Sequence, residues 1–224
     1  MKAQSNFVMR TITGSVFVIV ILASMLNFWS FFVVMCILWS LMIFEYGKLL
    51  KENGKPSQIR SFGYSFLAYF YIILPFFCLI TVYSKNPLYA LALFAFVWVN
   101  DTFAYLFGIT FGKHKLFERI SPKKTWEGFF GGLIATIAFS IMFFKIFTRS
   151  PKFETLSIGQ WIGLAIVVVI FGTIGDLFES YLKRSLNVKD SGTILPGHGG
   201  LLDRLDSILF AAPAVMVYLM LINW

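Results

Sequence analysis

Apolar runs long enough to cross a bilayer dominate this chain, and they limit its architecture before any motif is read. Roughly seven can be marked, near residues 11–27, 29–47, 64–84, 87–108, 128–148, 158–182 and 205–223. A spanning helix needs ~20 apolar residues. Within the hydrocarbon each backbone N–H and C=O must find its partner inside its own segment, which leaves the helix as the spanning structure. The expected fold class is all-α: a polytopic helical membrane protein of about seven transmembrane helices, forming one integral-membrane domain over residues 1–224. With 58% hydrophobic and 13% charged residues, the chain lies outside the soluble globular class.

Local signals refine this picture. The first two runs are nearly continuous, broken around Asn27 and Trp29, and Pro75 predicts a kink in the third. Gly131 and Gly132 in the fifth run, and Gly163, Gly172 and Gly175 in the sixth, predict close helix packing. Lys2 and Arg10 before the first run imitate a signal peptide. No small-residue cleavage site follows, so a retained first span is expected. Cys36 and Cys78 lie inside apolar runs and read as packing residues, with no spacing that suggests zinc.

Charge sets the expected orientation. Of 19 Lys and Arg, 15 fall on one side of a seven-span alternation and 4 on the other. The positive-inside rule then puts the N-terminus in the cytoplasm. The net charge of +8 suits anionic headgroups or nucleotide phosphates at a membrane surface. No nucleic-acid-binding module is visible, and no nucleic-acid partner is expected.

Two polar segments interrupt the apolar pattern, at about 100–128 and 176–206, on the same predicted side. In the second, Asp176, Glu179, Ser180 and Lys183 are spaced to share one helix face. An Asp in a membrane helix needs a partner. For Asp176 that is either a basic residue such as Lys183 or a bound ion. Asp203 and Asp206 fall in the first turn of a helix starting near 202, where carboxylates also complement the helix dipole. With Asp176 they would form a carboxylate cluster suited to Mg²⁺ held together with phosphates. His198 sits among Gly197, Gly199 and Gly200, as a phosphate-facing loop or as turn formers. In the first segment, Asp101 and Tyr105 share a face, and Ser121, Lys123, Lys124 and Thr125 present hydroxyls and ammonium groups suited to phosphate or ribose.

These residues resemble a family signature. Ser180, Leu182, Lys183, Arg184, Lys189, Asp190, Gly192, Leu195, Pro196, His198, Gly199, Gly200, Leu201, Asp203, Arg204 and Asp206 follow the pattern of the phosphatidate cytidylyltransferases, or CDP-diacylglycerol synthases, without departure. Asn100-Asp101, Ala104-Tyr105, Gly108, Phe111-Gly112-Lys113 and Ser121 to Gly128 resemble the same family. The resemblance implies a membrane enzyme of phospholipid biosynthesis that transfers CMP from CTP to phosphatidate, giving CDP-diacylglycerol and pyrophosphate. It implies catalytic roles for Asp176, Lys183, Asp203 and Asp206, with Asp176, Asp203 and Asp206 holding Mg²⁺; a second, monovalent cation is left open. Substrate contacts are expected from Ser121, Lys123, Lys124, Thr125, Ser180, Arg184, Lys189, Asp190, His198 and Arg204. The implied location is the bacterial inner (cytoplasmic) membrane, with the active site on the cytoplasmic side and a homodimer left open. Gly108 to Lys113 is one residue short of a P-loop, and the HExxH, GxSxG and Rossmann patterns are missing. A transporter is the rival reading, through Asp101 and Asp176. It is disfavoured because the polar residues gather at one face and no inverted repeat is visible.

Overall fold

A computed structural model describes residues 2–53, 58–147, 156–192, 194–195 and 199–222. Seven helices follow in chain order: α1 Lys2–Ser24, α2 Phe28–Asn53, α3 Gln58–Lys85, α4 Pro87–Phe111, α5 Trp126–Phe147, α6 Ile158–Ser185 and α7 Leu202–Leu221. The all-α polytopic expectation holds. Five of these helices are long and apolar enough, among the described residues, to cross a membrane: those of α2, α4, α5, α6 and α7. The described apolar parts of α1 and α3 are shorter, Thr11–Ser24 and Phe70–Lys85.

The helices begin and end where local chemistry directs. Asn27 accepts the Ser30 N–H at 2.9 Å and starts α2, which explains the break between the first two apolar runs. Asn86 caps α4 by accepting the Leu88 N–H at 3.0 Å, with Pro87 in the first turn, where a missing N–H costs nothing. Ser157 and Gln160 form a reciprocal capping box at the start of α6. That helix stops at Asn187, which takes φ 58° while the Val188 N–H returns to the Lys183 carbonyl at 3.0 Å. Helix α3 continues through Pro75, and α7 through Pro213.

The region between α4 and α5 adds strands that the all-α expectation did not include. It is a two-stranded antiparallel hairpin, β1 Lys115–Phe117 and β2 Ser121–Thr125, pairing Lys115 with Thr125 and Phe117 with Ser121. The strands are too short and too rich in lysine to show a period-2 pattern, so sequence periodicity carries no strand signal here.

Helix α4 packs most extensively on α5, and α6 on α7; α3 also lies on α7, and α5 on α6. Small residues make the two closest pairs. A side chain at Gly131 would overlap the Phe107 ring, and one at Gly132 would meet Asn100 at 2.5 Å. A side chain at Gly175 would meet the Asp206 carbonyl at 2.5 Å. The core is aromatic: Trp161 is fully buried among Tyr89, Phe96 and Phe143. Outward faces stay apolar, with Trp29, Ile134 and Leu221 exposed, as lipid contact requires. Gly131→Leu is therefore expected to force α4 and α5 apart, costing roughly 1–3 kcal/mol. A lowered melting temperature of the detergent-solubilised protein would show it, and an unchanged one would refute the packing argument.

Candidate functional site

The two polar segments meet in one cavity of about 700 Å³. Its walls come from the second half of α4, the hairpin, the start of α5, the last turns of α6 and the first turns of α7. The hairpin reaches α4 because glycines remove the side chains between them. A Cβ at Gly112 would overlap the Gly108 carbonyl and lie 2.8 Å from Thr125, and one at Gly128 would lie 2.6 Å from the Ala104 carbonyl. Thr125 then accepts the Gly128 N–H at 3.1 Å at the start of α5. His114 locks the base of the hairpin: its carbonyl accepts the Trp126 N–H at 2.9 Å, and its Nδ1 lies 2.6 Å from Glu127 Oε1.

The wall is evenly charged, with Lys115, Lys123, Lys124 and Arg204 against Asp101, Asp176, Asp203 and Asp206. Lys124 Nζ lies 2.6 Å from Asp176 Oδ2. Asp101 and Asp206 line the same cavity as Asp176 and Lys124. The partner of Asp176 is thus a basic residue from the other polar segment, not Lys183. Ser180 Oγ approaches Asp176 Oδ1 at 3.4 Å from the next turn of α6.

Lys183 belongs to a separate, buried cluster. Its Nζ lies 2.5 Å from Glu179 Oε2 and 2.6 Å from Asp203 Oδ1. The other oxygen of Asp203 accepts the N–H groups of Ser191 and Gly200, each at 3.0 Å. Asp203 therefore ties α6, α7 and the loop between them, although its side chain also reaches the cavity wall. Within that loop the Leu195 N–H donates to the Gly199 carbonyl at 3.0 Å, and Gly199 takes φ 85°, which glycine adopts without strain.

The expected site residues divide accordingly. Ser121, Lys123, Lys124, Thr125, Asp176, Asp203, Arg204 and Asp206 line the cavity. Lys183 and Ser180 stand behind it, and Arg184, Lys189 and Asp190 are exposed beyond its wall. His198 lies outside the described residues. Asp176, Asp203 and Asp206 do not form a ready metal cage: among the described residues no three His, Cys, Asp or Glu side chains are gathered to hold an ion. The physical reason is that Lys124 draws Asp176, while Lys183 and two backbone amides take both oxygens of Asp203. Asn100, Asp101, Tyr105 and Thr173 also face the cavity, outside the expected set. Glu45 of α2, buried against the α6–α7 loop, was likewise not among the expected site residues. A carboxylate inside an apolar span is the sequence signal by which it could have been found.

The sequence model described as the cytidylyltransferase family matches residues 1–222. A protein named phosphatidate cytidylyltransferase from Staphylococcus epidermidis is 46% identical over 138 residues, covering 61% of this chain and 50% of the relative. Its namesake from Staphylococcus saprophyticus is 44% identical over 151 residues, covering 66% and 55%. The one from Staphylococcus aureus strain COL is 45% identical over 138 residues, covering 61% and 50%. The chain spans about half the length of the curated relatives it matches. With the family pattern running through both walls of the cavity and almost from end to end of the sequence, the chain belongs to the cytidylyltransferase family.

Proposed function

We propose that this chain carries out the phosphatidate cytidylyltransferase reaction, with the α4–hairpin–α6–α7 cavity as its active site at the cytoplasmic side of a bacterial inner membrane. A phosphate oxygen of phosphatidate forms a bond to the α-phosphorus of CTP. The bond from that phosphorus to the bridging oxygen breaks, pyrophosphate leaves, and CDP-diacylglycerol remains. The observation that carries this reading is the meeting of hairpin lysines and membrane-helix carboxylates in one cavity. A triphosphate needs cations, and no covalent enzyme intermediate is required, so positioning and charge neutralisation suffice.

The donors suit Mg²⁺ in kind, since Asp101, Asp176 and Asp206 are hard-oxygen carboxylates lining one cavity. Asp176 and Asp206 would hold the ion, with Asp101 beside them. Bound there, Mg²⁺ neutralises charge on the nucleotide phosphates. A phosphate entering the cavity competes with Asp176 for the Lys124 ammonium, and Lys123 and Arg204 add charge along the same wall. Lys183 acts at one remove, holding Asp203 and through it the loop that precedes α7.

Purified protein in lipid nanodiscs should release pyrophosphate only when CTP, phosphatidate and Mg²⁺ are all present. Release without phosphatidate, or none under any condition, would overturn the proposal. In the same assay Lys124→Ala is expected to raise the apparent KM of one substrate severalfold and leave the other near its starting value. Unchanged constants in the double Lys123→Ala, Lys124→Ala variant would remove the hairpin from the site.

A further inference from the structure

We propose that Glu45 is a positioning residue: from α2 it seats the α6–α7 loop and the first turn of α7, so that Asp203, Arg204 and Asp206 face the cavity. The inference rests on the catalytic reading of that cavity, which Glu45 itself does not line.

Glu45 lies in an apolar helix and is only 3% exposed. A carboxylate in that setting needs a partner. Its Oε2 accepts the backbone N–H of Leu202 at 2.9 Å, a residue 157 positions away. Helix α7 needs that acceptor. The residue at its N-cap is Leu201, which makes no side-chain cap, so the helix cannot satisfy this amide from its own flank. An acidic side chain also complements the positive end of the helix dipole.

The loop is shaped around the same carboxylate. A Cβ on Gly192 would overlap Glu45 Oε1, and the three atoms nearest to it all belong to the Glu45 side chain. A Cβ on Gly200 would overlap Ser191 Oγ and lie 2.6 Å from Glu45 Oε1. The Ser191 hydroxyl and the Glu45 carboxylate therefore both lie against Gly200. Two glycines, a serine and the first amide of α7 converge on one buried group. Asp203 binds the amides of Ser191 and Gly200 on the other side of this loop. Without Glu45, the side-chain hydrogen bonds to this segment among the described residues would reduce to those of Asp203, and Asp203 and Asp206 would lose their fixed start of helix.

The test uses the full chain in nanodiscs, comparing wild type with Glu45→Ala, Glu45→Gln, Gly192→Ala and the double variant. Turnover is measured per folded molecule, and hydrogen exchange is followed across residues 199–203. Glu45→Ala should lower turnover about tenfold or more and speed exchange of the Leu202 amide. Glu45→Gln keeps a carbonyl acceptor and should stay within about threefold of wild type. Gly192→Ala should reproduce the loss, and the double variant should be no worse than Glu45→Ala, because the clash disappears with the carboxylate. Normal exchange in Glu45→Ala, equal damage from Glu45→Gln, or multiplying losses in the double variant would each overturn the proposal. If Glu45→Ala does not fold, Gly192→Ala decides: wild-type exchange and turnover there would overturn it. A wild-type chain without turnover would sink the catalytic reading alone, since the exchange results still decide whether Glu45 seats the loop.

Discussion

Asp176→Asn is expected to lower turnover by roughly a hundredfold or more while the helix bundle stays folded. The amide keeps the size and shape of the carboxylate but removes its charge. Asp176 pairs with Lys124 and shares the cavity lining with Asp101 and Asp206, so its loss disturbs the acidic group that faces the cavity. Folding should survive for a reason visible in the same contacts. The Lys124 side chain is 24% exposed and lines a cavity that also holds Asp101 and Asp206, so no stranded charge is sealed in the interior. Pyrophosphate release at limiting Mg²⁺, paired with a thermal melt, checks both halves. Turnover near wild type would show that Asp176 is not a ligand; a collapsed melt would show that its role is structural.

Lys183→Met should behave in the opposite way, with stability failing first. Its ammonium contacts both Glu179, which is 1% exposed, and Asp203, which is 12% exposed. Removing one partner of a buried ion pair costs about 3–5 kcal/mol, because the remaining charge stays desolvated. Two carboxylates would be left facing each other, and Asp203 would be pulled from the Ser191 and Gly200 amides. The melting temperature should fall sharply, with activity per folded molecule falling less. Adding Glu179→Gln should recover much of the lost stability, since the most buried charge is then gone. A Lys183→Met protein of normal stability but no turnover would instead place Lys183 in direct contact with the reacting phosphates.

The contrast between these two lysines shows where sequence and structure part. Lys183 stands inside the family pattern, one helix turn from Glu179 and two from Asp176, and that spacing suggests a common face with a common task. Helix geometry does put them on one face. It does not say which neighbour each will meet. The packing of α6 on α7 turns Lys183 toward Asp203, while the hairpin brings Lys124 to Asp176. The hairpin was hidden for a related reason: its strands are short, and their pairing depends on His114, Glu127 and the glycine contacts with α4.

The amino-acid sequence by itself determined the helical membrane architecture, the two polar segments and their family. Bilayer thickness and backbone hydrogen bonding leave few choices for runs this long and apolar, and the signature is a pattern of adjacent residues. Only the tertiary structure decided which charges pair with one another, that Asp101 lines the same cavity as Asp176 and Asp206, and that Glu45 reaches across the chain to Leu202. Those outcomes depend on glycine-mediated approaches of a few ångströms between distant segments, and side-chain partners separated by that much chain leave no local periodicity to read.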